Sequence, residues 1–205
     1  MWFQLTYFTV ALINNIVGSE SSSKKASSTQ KLRDHLFASV AFPIGIFVCL
    51  FFWAVHLYDD NLIFPPQVAK FYPWYANHMM HTAPAVSQLV VLMTTCHVYP
   101  ARKSGLLTIG SVALTYLVWV CVIAYYGGFW VYPFFKVMST PVRAVFMVVI
   151  SIMTFPLYVA GEAVNSLIWG AKSGSGSPKK RVGDSPAVPQ HRYSTRSRTR
   201  AQKTD

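Results

Sequence analysis

LFASVAFPIGIFVCLFFWAVHLY, residues 36–58, contains no Asp, Glu, Lys or Arg and carries Pro43 within it. A run this apolar fits the hydrocarbon of a bilayer, where a helix can satisfy every backbone group internally. Pro43 lacks an N–H, so one rung of the helix is lost and a kink is expected. Phe52 and Trp53 stand near the far end, where aromatic side chains favour the water–lipid boundary.

The rest of the chain agrees. Of 205 residues, 53% are hydrophobic and only 12% charged, about half the charge of a soluble domain, and mean hydropathy is +0.34. Eighteen Lys and Arg against seven Asp and Glu give a formal net charge of +11. A basic chain suits either nucleic acid or an anionic membrane, and the apolar runs exclude nucleic acid. Cys49, Cys96 and Cys121 are an odd set in or beside apolar runs, which is neither a disulfide framework nor a zinc site.

Four further spans follow from the same reading. Residues 1–18 reach about 27 Å as a helix. No basic residue precedes the apolar run, and Thr6, Thr9, Asn14 and Asn15 interrupt it, so it reads as a span rather than a cleaved signal. Residues 19–34 form a basic loop with Lys24, Lys25, Lys31 and Arg33. The third span covers 77–97, YPARKSG at 99–105 is a basic turn, and the fourth span covers 106–126 before Gly127 and Gly128. The fifth, 142–169, holds Pro156 and Glu162.

The expected fold class is therefore all-α, a polytopic transmembrane helix bundle of about five spans over residues 1–170. Residues 171–205, basic and poor in apolar residues, are expected to be a disordered tail that binds anionic lipid headgroups. Lysine and arginine concentrate in the first loop, the 99–105 turn and the tail, against Lys70, Lys136 and Arg143 elsewhere. The expectation is an integral, multi-pass protein of the endoplasmic reticulum or plasma membrane with its C-terminus in the cytosol.

Candidate chemistry centres on FYPWYANHMMHT, residues 71–82. His78 and His81 lie one helical turn apart where the third span enters the bilayer, within reach of a lipid's polar end. An isolated His-x-x-His is neither a metal site nor a catalytic dyad. Thr6 is expected at similar depth, since the first span begins on the same side. A threonine in such a helix ordinarily bonds its own i−4 carbonyl; an imidazole within reach would make it a nucleophile. Thr9 and Thr82 are rival nucleophiles and His78 a rival base, while Asn77 is a candidate oxyanion donor. His56, Asp59, Asp60 and His78 match no metal-ligand spacing, and no cofactor is implied. Glu162 is expected to pair with Asn165 or a loop lysine.

AFPIGIFV at 41–48, FW at 52–53, NHMMHT at 77–82, YPARKSGL at 99–106, WVYP at 130–133 and GEAVNSLIW at 161–169 occur in order. In these the chain resembles the androgen-induced protein 1 / androgen-dependent TFPI-regulating protein family over about two thirds of its length. The resemblance implies a multi-pass membrane hydrolase of lipid esters such as fatty acid esters of hydroxy fatty acids, using a threonine and a histidine. Those roles fall on Thr6, in LTYF at 5–8, and on His81. The family pattern has another apolar span before the nucleophile helix, whereas Met1 stands almost at that helix here. The chain is thus expected to be either a truncated product or a five-span member. A non-enzymatic transporter or regulatory scaffold is the alternative class, although neither repeat symmetry nor mid-membrane charge is visible.

Overall fold

A computed structural model describes residues 1–18 and 26–170. The tail from residue 171, and the first part of the basic loop, lie outside the described residues. All regular structure among the described residues is helical. α1, Trp2–Val17, turns Gln4, Tyr7 and Asn14 inward at helical spacing and ends at Gly18. α2, Ser28–Leu36, starts where the Ser27 hydroxyl accepts from the Gln30 N–H at 3.1 Å. Thr29 donates to Oδ1 of Asn14 at 3.0 Å, tying this start to the end of α1.

The expected loop over 19–34 is therefore helical from Ser28. It runs through a π turn, Phe37–Ala41, into α3, Phe42–Tyr58. Pro43 causes that turn: without its N–H and with its ring crowding the preceding carbonyls, the ladder widens just before it. The kink expected at Pro43 takes this form. Gln4 Nε2 donates to the Ala41 carbonyl at 2.9 Å from α1.

After a 3₁₀ turn at Asp60–Leu62, α4 is Pro66–Ala69, α5 Trp74–His81 and α6 Ala83–Thr94. Pro84 lacks the N–H that would continue α5, so the expected 77–97 span is two helices broken at Thr82, followed by non-helical backbone from residue 95 to residue 101. α7 is Arg102–Gly127, α8 Phe134–Val137, α9 Thr140–Ile152 and α10 Thr154–Trp169. Among the described residues, three helical stretches are long and apolar enough to cross a membrane: Ser28–Tyr58, Arg102–Gly127 and Thr140–Trp169. α1, with 16 residues, and α6, with 12, are shorter than the expected five-span count requires.

α3 is the hub, packed against α6 and α10. One core cluster joins Tyr7, Phe37, Ala41, Phe42 and Leu92; a second joins Ala38, Tyr99 and Tyr158. At the other end Val120, Phe134, Phe135 and Met147 gather around Phe51. Gly161 lets α10 approach closely: a Cβ there would stand 2.6 Å from Phe42 and 2.7 Å from the Tyr99 hydroxyl. Leu107, Leu114, Val118 and Trp119 on α7 face outward, as a lipid-facing surface requires.

Candidate functional site

The break at Thr82 shapes the candidate site. α5 packs against α3, and its histidines meet the aromatic pair there. The His81 ring stacks on Phe52 with centroids 3.7 Å apart and planes 8° apart. Its Nδ1 lies 2.6 Å from Oδ1 of Asn77 and 3.1 Å from the Asn77 carbonyl oxygen. Both bonds use one ring nitrogen, and among the described residues Nε2 has no hydrogen-bond partner. His81 is half-buried and Asn77 buried.

His78, exposed on the same helix, stands against Trp53 at 5.1 Å and Trp74 at 5.8 Å between ring centroids. Its Nδ1 is 3.1 Å from the Thr82 hydroxyl, which also accepts from Trp53 Nε1 at 3.0 Å. His56 stacks more loosely on Phe52, at 5.8 Å, and borders a hollow of about 710 Å³ with Asp59 and Asp60. Among the described residues no group of three or more His, Cys, Asp and Glu is arranged to hold a metal.

Thr6 lies outside the inward face of α1, exposed, and its hydroxyl donates to the Trp2 carbonyl at 3.0 Å. It makes no hydrogen bond to His81. The start of α1 does lie beside the start of α6: Gln4 and the Pro84 carbonyl meet over Gly45. Of the three rivals, Thr82 and His78 are in direct contact, whereas Thr9 is exposed on α1. The side-chain oxygen of Asn77 is turned to His81.

A second polar cluster was not foreseen. Asp34 Oδ1 accepts from Arg33 Nε at 3.0 Å and lies 2.9 Å from His97 Nδ1, while Oδ2 accepts from the Val98 N–H at 3.3 Å. Arg33 and Asp34 are each 2% exposed and His97 0%. Asn165 closes the cluster, donating to the His97 carbonyl at 2.9 Å and accepting from its N–H at 3.3 Å. Glu162 accepts from Arg102 Nε at 2.7 Å, so its partner is an arginine of the 99–105 turn rather than Asn165 or a lysine. The signal for the buried cluster was present: Gln30, Arg33 and Asp34 share the helical face of Phe37 and Ala41.

The profile of the FAR-17a/AIG1-like protein family matches residues 1–166. The chain belongs to that family. Among its FAR-17a/AIG1-like relatives, the androgen-induced gene 1 protein of Homo sapiens is 33% identical over 171 residues, covering 83% of this chain and 72% of the relative. The androgen-dependent TFPI-regulating protein of Mesocricetus auratus is 33% identical over 168 residues, covering 82% and 73%. A UPF0641 membrane protein of Schizosaccharomyces pombe is 24% identical over 157 residues, covering 76% and 70%. No solved structure matches. With the apolar helices, this membership makes the chain an integral membrane protein.

Proposed function

We infer that the chain is a hydrolase of lipid esters, such as fatty acid esters of hydroxy fatty acids, with Thr6 as nucleophile and His81 as general base. The observation that carries this reading is His81: a half-buried imidazole, held by a stack and by Nδ1, with Nε2 left to accept a proton. The position of Gln4 beside Pro84 supports an approach of α1 to the histidine helix. In the reaction Thr6 leaves the Trp2 carbonyl and its oxygen adds to the ester carbonyl carbon while the proton passes to His81 Nε2. Collapse of the tetrahedral intermediate expels the alkoxide, which takes that proton, and water then cleaves the acyl-threonine.

The test is ester hydrolysis and labelling by a fluorophosphonate probe for Thr6→Ala, His81→Ala and the double variant, at matched membrane insertion. Each should lose about 10²- to 10⁴-fold in kcat/KM, and the double variant no more than the worse single one. Wild-type activity in Thr6→Ala would sink the assignment. A second reading, Thr82 with His78, is favoured by their 3.1 Å contact and by the Trp53 N–H, which can stabilise charge on the threonine oxygen. Loss of activity in Thr82→Val but not in Thr6→Ala would move the nucleophile there. Intact wild-type protein that neither hydrolyses nor labels would favour the transporter or scaffold class.

The same reading places the C-terminus in the cytosol. Arg33 is spent in the buried pair, so the argument rests on Lys24, Lys25, Lys31, Arg102, Lys103 and the tail. On the opposite side Arg143 binds the Phe135 and Met138 carbonyls and covers Trp130 at 4.1 Å.

A further inference from the structure

We propose that Asn77 is the positioning residue of the site, setting the tautomer and direction of the His81 ring; this rests on the hydrolase reading above. Asn77 and His81 are four residues apart on α5, hence on one face of the helix. Nδ1 meets two oxygens of the same residue, and one of them decides the tautomer. A backbone carbonyl only accepts, so the ring nitrogen 3.1 Å from it carries the hydrogen. The other ring nitrogen, Nε2, then holds the lone pair.

The side-chain oxygen at 2.6 Å strengthens the same choice, and its residue is 6% exposed, which leaves it few other orientations. Phe52 fixes the plane of the ring, and Asn77 fixes its rotation within that plane. Without Asn77's side chain only the stack and the longer carbonyl contact at 3.1 Å remain to hold Nδ1, and a flip about χ2, which preserves the stack, breaks that contact. Nε2–H then becomes available, and that form is useless as a base.

An amide suits this site better than a carboxylate. It orients the ring without adding a negative charge that would stabilise the imidazolium and leave less of the free base at neutral pH. The ionisable groups around His81 are His78 on its own helix, His56 beyond Phe52 on α3 and the Met1 ammonium at the start of α1. A carboxylate introduced at Asn77 would thus be the nearest charge to the ring and should dominate its titration.

The experiment uses the full chain in detergent or nanodiscs with three variants, Asn77→Ala, Asn77→Asp and His81→Ala. Asn77→Ala should lower kcat about 10- to 100-fold with KM within twofold, the pattern of a misdirected base rather than lost substrate binding. Asn77→Asp should keep kcat within tenfold and move the acid limb of the kcat/KM profile up by about one pH unit. Nitrogen-15 NMR of labelled histidine should give a single Nδ1–H tautomer for His81 in the wild type and a mixture in Asn77→Ala. An unchanged tautomer and kcat in Asn77→Ala overturn the proposal. Should that variant fail to insert, an unmoved acid limb in Asn77→Asp overturns it instead. Full activity in His81→Ala, with the tautomer still dependent on Asn77, would defeat the hydrolase assignment of His81 and leave the positioning intact.

Discussion

His97 and His81 are both held through Nδ1 and both stack on a phenylalanine, His97 on Phe37 at 3.8 Å and His81 on Phe52 at 3.7 Å. Their surroundings differ in two respects. His97 is fully buried against a carboxylate that also binds Arg33 and the Val98 N–H, and Asn165 grips its backbone on both sides. His81 is half-buried against a neutral amide of its own helix. His97, through its ring and backbone, ties α2, the π turn and α10 together; His81 is held only by Asn77 and Phe52 and is half-buried. A charged, closed cluster gives a joint, whereas a neutral, open one gives a group that can exchange a proton.

This contrast predicts that damage at the two ends will read out differently. Asp34→Ala leaves Arg33 buried without that carboxylate, and removing one partner of a buried ion pair costs about 3–5 kcal/mol. The unfolding midpoint in detergent should fall further than for any variant at the His81 end. The protein that remains folded should keep the wild-type pH profile of hydrolysis. If Asp34→Ala instead shifts that profile and spares stability, the two clusters have exchanged roles.

A packing change at the joint should have a smaller effect. Gly161→Ala places a methyl against Phe42 and the Tyr99 hydroxyl, both core groups with little room to retreat. Overpacking of this kind costs about 1–3 kcal/mol. Thermal unfolding should show a lower midpoint, with hydrolysis retained below it. An unchanged midpoint would mean that α10 can slide away from α3, and that the joint is looser than the close approach at Gly161 suggests.

The apolar runs made the helical, membrane class legible, because length and hydropathy are local properties of the chain. The NHMMHT motif likewise flagged His78 and His81, and the four-residue spacing of Asn77 and His81 was there to be read. What sequence could not supply was the partner of each polar group. Asp34 and His97 are 63 positions apart, and nothing periodic links them. Arg33 read as a loop charge because it follows Lys24, Lys25 and Lys31, yet it folds inward on α2. The break at Thr82 was half visible in Pro84, but the apolar run continuing to Cys96 concealed it. Thr6 was singled out by the family resemblance and only allowed by depth along the helix; depth says nothing about rotation, and rotation sets which side of α1 the hydroxyl occupies.

The smallest effect is expected at the exposed counterpart of the buried pair. Arg102 and Glu162 also bridge distant helices, α7 and α10, at 2.7 Å, but the arginine side chain is 68% exposed. Water and salt screen such a pair, and the long side chain loses rotamer freedom to hold it. Arg102→Gln should therefore move the unfolding midpoint far less than Asp34→Ala. The remaining difference from wild type should shrink as salt is raised. A double-variant cycle with Glu162→Gln isolates the coupling between the two groups. Coupling that persists at high salt and rivals the Asp34 effect would show that Arg102 and Glu162 are shielded by lipid headgroups, and burial alone would no longer explain why Asp34 matters more.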